Sequence, residues 1–215
     1  MQTIIASLRH HRLTKETRRL LGMTGAINSQ DADISNHLLR LYREELIGAE
    51  QYIYIETKLL LNRFCLAAER LFPARDVSMG VYFYDAPAKR LWSGGGPNVP
   101  PGYTEYANGL SAIPDIVLGD TPVYVNGVLP IDDVDSSDHV VALNHRRELL
   151  RSGISSFCAV PLTHEGNIIG HANLYSHRPK VWSPHEIMLI KHQARGIESK
   201  LLQAKARFIQ AAAVM

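Results

Sequence analysis

Phe157-Cys158-Ala159-Val160-Pro161-Leu162, then Thr163-His164-Glu165-Gly166-Asn167, then Ile168-Ile169-Gly170-His171-Ala172-Asn173-Leu174-Tyr175 is the stretch that decides the fold. The outer parts are apolar runs of strand length. The middle part ends on Gly and Asn, residues suited to positive φ, so the spacing predicts an antiparallel hairpin. After a short loop the chain reads Trp182-Ser183-Pro184-His185-Glu186-Ile187. Here Ser183 fits a helix N-cap, Pro184 the first helical position and Glu186 the far side of a capping box, with Trp182 and Ile187 set for a hydrophobic staple.

Toward the C-terminus, Ile187, Ile190, Ala194, Ile197, Leu201, Ala204, Phe208 and Ala211 recur at alternating spacings of three and four, a coiled-coil period. The first half of this helix should pack on the sheet. Beyond residue 203 no domain surface is expected to remain, so the apolar face needs another. The matching helix of a twin subunit is one reading, with Ile197, Leu201, Ala204 and Phe208 at the contact beside Leu39 and Leu46. A helix folding back on the N-terminal helices of its own chain is the other.

Toward the N-terminus, an apolar stripe at helical spacing runs through Leu39, Tyr42, Leu46, Ala49, Ile53, Leu60, Phe64, Ala67 and Leu71, predicting one helix over 33–72 with a bend near Gly48. Val77-Ser78-Met79-Gly80-Val81-Tyr82-Phe83-Tyr84 reads as a strand and Lys89-Arg90-Leu91-Trp92 as its partner. Residues 93–152 are irregular, with helices predicted over 103–110 and 139–151 and a strand at 123–125. Residues 3–22 form a basic helix candidate, with Arg9, Arg12, Lys15, Arg18 and Arg19 against Glu16, and 24–32 a linker. The charge density of that helix favours a solvated, docked element over one bound to a membrane or polyanion.

The 215 residues carry a net charge of only +2, which does not mark a nucleic-acid surface, and 46% hydrophobic residues, enough for a full core. No run approaches the roughly 18 apolar residues of a membrane helix, and the start lacks a signal-peptide apolar region, so a cytoplasmic protein is expected. Cys65 and Cys158 have no metal-ligand spacing and read as buried thiols.

The strand ending Ala159-Val160-Pro161-Leu162, the hairpin through Gly166-Asn167-Ile168-Ile169-Gly170, the strand ending Leu174-Tyr175-Ser176 and the Trp182-Ser183-Pro184-x-Glu186 helix start resemble the GAF domain family, specifically its C-terminal half. The resemblance implies an α+β fold, PAS-like, with a central antiparallel sheet of five or six strands. Helices would cover one face and a loop- and helix-covered pocket the other. It implies three parts: 1–32 as N-terminal helix and linker, 33–202 as the domain, and 203–215 as a helical extension. It further implies reversible small-molecule sensing, output through a helical homodimer to a downstream signalling domain or protein, and binding rather than turnover. The cofactor stays unassigned. Two alternatives remain: a ligand-free dimerisation module, and a thiol-based redox sensor or enzyme using Cys158.

On the second hairpin strand His171, Asn173 and Tyr175 share one face, since side chains alternate. An imidazole and an amide buried there need partners, because an unsatisfied buried polar group costs about 1 to 3 kcal/mol. Polar groups on a covering helix or a polar ligand would serve. By resemblance, the opposite face, with Ala172 and Leu174, is expected nearer the cavity. Tyr82, Tyr84, Trp92 and Tyr103 are candidate cavity walls as well as ordinary core residues. Asp132, Asp133, Asp135 and Asp138 fail calcium-loop spacing, since Asp138 stands where the turn demands Gly and Asn144 where Glu is required. They read as an acidic turn capping the next helix, although in GAF domains this connection borders the pocket, which makes Asp132 and His139 candidate ligand contacts.

Specialised members of the family require residues this chain places elsewhere. Covalent bilin attachment needs a pocket-loop cysteine, haem binding a histidine where Arg151 stands, and sulfoxide reduction clustered thiols. The cyclic-nucleotide motif has no match. No Ser-His-Asp order, phosphate-cradling loop or metal-spaced histidine pair stands out.

Overall fold

The computed structural model of the chain describes residues 31–72, 77–111, 127–137 and 143–212. The basic helix expected over 3–22, the strand at 123–125, Asp138 and His139 lie outside the described residues.

The long apolar stripe resolves into two helices, α1 (Asp31–Arg43) and α2 (Ala49–Glu69). The expected single helix is broken by a Schellman cap: Leu46 N–H donates to the Leu41 carbonyl at 2.9 Å and Glu45 N–H to that of Tyr42 at 3.1 Å. Glu45 takes the left-handed φ of 54° that this motif demands. Apolar periodicity is blind to such a break, because the spacing of buried residues resumes on the far side.

The strands are β1 (Val77–Asp85), β2 (Arg90–Gly95), β3 (Leu110–Ser111), β4 (Leu129–Ile131), β5 (Ser156–His164) and β6 (Asn167–Ser176). They form one six-stranded sheet in the order β3-β2-β1-β6-β5-β4, and every neighbouring pair is antiparallel. The 157–175 hairpin forms as expected, with Glu165 and Gly166 at positive φ. Between the strands lie α3 (Pro101–Ala107) and α4 (Leu143–Arg151), and α5 (Pro184–Ala212) closes the chain.

On the inner face of the sheet, α2 and α5 share one core with Val81, Phe83, Cys158, Val160, Ala172 and Leu174. This corrects the expected sidedness: Ala172 and Leu174 lie under the helices, and the pleat therefore turns His171, Asn173 and Tyr175 to the outer face. The approach of α2 to the sheet is close. A Cβ on Gly95 would stand 2.6 Å from Leu61 Cβ, and one on Gly94 2.7 Å from Leu61 Cδ1, so these glycines extend β2 instead of merely ending it. Polar groups of α2 then hold the turn beyond. Asn62 Oδ1 accepts from Gly96 N–H at 2.9 Å, and the Glu69 carboxylate accepts from Met79 N–H at 2.7 Å and from Asn98 Nδ2 at 2.6 Å.

The start of α5 carries the expected capping box. Ser183 N–H donates to Glu186 Oε2 at 3.0 Å, Glu186 N–H to Ser183 Oγ at 3.3 Å, and Lys180 pairs with Glu186 Oε1 at 2.7 Å. Downstream the helix stays on its own chain. Ile197, Leu201 and Phe208 are all buried, and Phe208 stacks on Tyr54 at 5.0 Å and meets Phe83 at 4.7 Å. α2 and β1 supply this part of the helix with an apolar surface of its own chain, where none was expected to remain beyond residue 203. The boundary expected at 202 falls within an unbroken helix. Ala204 is half-buried, Leu39 likewise, and Leu46 is exposed.

Candidate functional site

The outer face of the sheet is roofed by α3 and α4, and its buried lining is unusually rich in groups with a polar tip. Tyr82, Phe157 and Tyr175 rise from the sheet, Tyr103 descends from α3, and His145 from α4. Tyr103 meets Tyr175 edge-on at 5.4 Å, His145 at 5.9 Å and Tyr106 at 6.2 Å. Such tilted and edge-on geometry suits the ring quadrupoles.

Local backbone features aim these side chains. The pairing of β1 with β2 slips register between Val81 and Tyr82, a bulge of the kind that redirects a side chain. Gly80 leaves room for the Tyr82 ring to lie back along its own strand, since a Cβ there would stand 2.9 Å from the Tyr82 hydroxyl. That hydroxyl accepts from Tyr175 Oη at 3.0 Å, and Tyr175 Oη accepts from Asn173 Nδ2 at 2.9 Å. Tyr103 Oη lies 3.5 Å from His145 Nε2. The α4 helix is held over the face partly by Arg146, whose guanidinium donates to the Ser137 carbonyl.

Burial sets the charge state of this lining. It lowers His145 and His171 each to about 4, so both imidazoles are neutral at pH 7. It also pushes the phenols of Tyr82, Tyr103 and Tyr175 up, keeping them protonated. Among the described residues, three buried polar atoms here have no hydrogen-bond partner: His171 Nε2, Asn173 Oδ1 and His145 Nδ1. Orphans of this kind are rare in native interiors and call for a partner.

Of the residues expected at a ligand site, the structure brings together Tyr82, Tyr103, His171 and Asn173. Tyr84 sits apart in a small cluster with Leu91 and Ile168. Trp92 packs against the inner core, because it pairs with Phe83 and shares its side of the sheet. Asp132 serves the fold instead: its carbonyl accepts from Lys180 N–H at 2.8 Å and its carboxylate from Trp182 N–H at 3.2 Å, fixing the approach to α5. His139 lies outside the described residues. Sequence reasoning gave His145 no place among the ligand contacts, although His145 and Leu149 stand four apart and form the buried face of α4.

Cys158 lies in the inner core, its thiol pushed up to about 12 by burial and then by Asp132 and Glu186. Cys65 is likewise buried and free. Neither is a ready thiolate at neutral pH. Among the described residues no group of three or more His, Cys, Asp or Glu is placed to hold a metal, and no helix is long and apolar enough to cross a membrane.

Comparison with known proteins gives a match to the GAF domain family over residues 56–199. Among solved structures, a domain assigned to a two-component sensor histidine kinase protein of Sinorhizobium meliloti 1021 is similar at 16% identity and a TM-score of 0.55, covering 70% of this chain and 94% of that one. The GAF3 domain of a Synechocystis sp. PCC6803 protein, solved in its photoproduct state, is similar at 21% identity and a TM-score of 0.51 over 69% of this chain and 96% of that one. A GAF domain/HD domain protein of Geobacter sulfurreducens is similar at 18% identity and a TM-score of 0.52, over 67% of this chain and 91% of that one. At these identities the likeness carries the fold alone. No curated protein matches the chain.

Proposed function

The chain belongs to the GAF domain family, and on that premise we propose that it senses a small molecule held on the outer face of its sheet, among Tyr82, Tyr103, His145, His171 and Asn173. The single observation that carries this reading is the set of orphaned buried atoms, His171 Nε2, Asn173 Oδ1 and His145 Nδ1, gathered beside three phenols. A ligand supplying their hydrogen bonds recovers about 1 to 3 kcal/mol for each group satisfied. Solved domains of similar fold support the same reading: one from a two-component sensor histidine kinase protein and a GAF domain solved in its photoproduct state.

Output is proposed to pass through α1, α2 and α5 to a second copy or to a downstream signalling domain or protein. Tyr42, Leu46, Leu60 and Leu202 leave apolar area exposed on these helices, an opening for a homodimer contact alongside Leu39 and Ala204. A ligand moves such an assembly only by its differential affinity for two helix arrangements. The proposed domain comprises 33–202, preceded by the 1–32 segment and continued by 203–215, in a cytoplasmic protein.

The test is thermal unfolding of the purified chain across a library of metabolites, nucleotides and anions. At least one compound should raise the midpoint of the wild type and not of His171→Leu or Asn173→Leu. A library without a single stabiliser, on protein shown to be folded, contradicts the sensor reading and favours a ligand-free structural module, which the close packing of Tyr82, Tyr103 and Tyr175 would suit.

A further inference from the structure

One lysine stands on the wrong face of its helix. Lys58 follows Tyr54 by four residues and precedes Leu61 by three and Cys65 by seven, a spacing that puts it in line with three buried residues of α2. An apolar side chain is expected there. The structure keeps Lys58 half-buried at the seam where α2 meets α5. Its Nζ lies 5.5 Å from the ring centroid of Tyr54 and 6.0 Å from that of Phe208, and the two rings stack on each other at 5.0 Å.

The amine has aromatic company and no counterion. Among the described residues no aspartate or glutamate is close enough to hold its proton, whereas Lys180 is paired with Glu186 at 2.7 Å. Two effects then oppose each other. The ring faces favour the cation, and burial disfavours it. Burial wins, lowering Lys58 to about 8. At pH 7.5 about a quarter of such an amine is neutral, against about a thousandth of an ordinary exposed lysine. A free amine without a carboxylate beside it is a nucleophile that a small anionic donor can approach without repulsion.

We propose that Lys58 is a site of acylation, its Nζ taking the acyl group of a small acyl phosphate. Nζ attacks the carbonyl carbon, and the N–C bond forms as the C–O bond to phosphate breaks. Inorganic phosphate leaves with the electron pair, and the amine proton passes to water. The product is an uncharged amide at the α2–α5 seam, where a cation had been desolvated. Lys58 lies on the helical side of the sheet, away from the outer-face residues, so its reactivity is independent of any ligand bound there.

The test incubates the full chain with acetyl phosphate across pH 6.5 to 10 and follows each lysine-bearing peptide by mass spectrometry. At pH 7.5 Lys58 should be acetylated at least fivefold faster than exposed Lys89 and ion-paired Lys180. Its rate should rise to a plateau just above pH 8, while that of Lys89 still climbs at pH 10. In denaturing urea the preference should vanish, because it comes from the seam and not from the neighbouring sequence. Modification of Lys58 no faster than Lys89 in the folded protein overturns the proposal. A preference that survives in urea, or a Lys58 rate still climbing at pH 10, overturns it as well.

Discussion

Tyr82 shows how one residue's placement depends on its neighbours. Its ring occupies the space a Cβ on Gly80 would need, so Gly80→Ala should displace the ring, break the Tyr175–Tyr82 contact and cost about 1 to 3 kcal/mol in urea unfolding. Unchanged stability would show that the ring does not need this bed. The two buried histidines give a second expectation. Folded, each stays neutral down to about 4, whereas unfolded imidazoles take up a proton near 6.5. Between those values the unfolded chain binds more protons, so stability is complete above about pH 6.5 and falls as the pH drops toward 4, by up to about 3 kcal/mol per histidine. Replacing either with Asn should flatten the pH dependence of the unfolding midpoint in that window. Cys158, by contrast, should resist iodoacetamide at neutral pH until the protein unfolds, because its thiol titrates only at about 12; rapid native-state alkylation would reopen a redox role.

At the scale of elements, what could be read from the sequence was whatever had a local signature. The 157–175 hairpin was legible from its two apolar runs around Gly166, although Glu165 and Gly166 take the positive φ and Asn167 already opens β6, and the start of α5 was legible from Ser183, Pro184 and Glu186, because caps and turns are decided within a few residues. The break between α1 and α2 was not, since Glu45 adopts a conformation usually left to glycine and nothing in its side chain announces it. Glu45→Gly should therefore stabilise the protein by roughly 0.5 to 1 kcal/mol, the relief of a left-handed non-glycine residue less the added freedom of the unfolded chain. Glu45→Val should destabilise it, and equal midpoints for the two variants would contradict the capping account. The glycines at 94 and 95 misled for a different reason. They look like loop punctuation, yet their function is to admit Leu61, a contact set by a helix some 30 residues away. The site was half legible: His171 and Asn173 stood out as polar residues in a strand that should be apolar, but which face they served depended on where α2 and α5 packed. The place of His145 depended on a roof that only tertiary structure assembles.

For the molecule as a whole, the inner core closes within one chain. The heptad of α5 was legible as apolar periodicity, but periodicity does not say whose surface the stripe meets, and here Phe208 finds Tyr54 and Phe83. Phe208→Ala should cost about 3 to 5 kcal/mol even at dilutions where the chain is a monomer by sedimentation. A loss that appears only at concentrations where the chain pairs would assign the burial of Phe208 to a second subunit. With the inner face committed to α2 and α5, the outer face with its neutral imidazoles and phenols is where the account locates ligand recognition. The most direct measurement is nitrogen-15 NMR of the histidine side chains during titration with a compound that stabilises the protein. The His145 and His171 ring resonances should move together while those of the exposed His164, His185 and His192 stay in place. Movement confined to the exposed rings, with His145 and His171 unchanged at saturation, would contradict it.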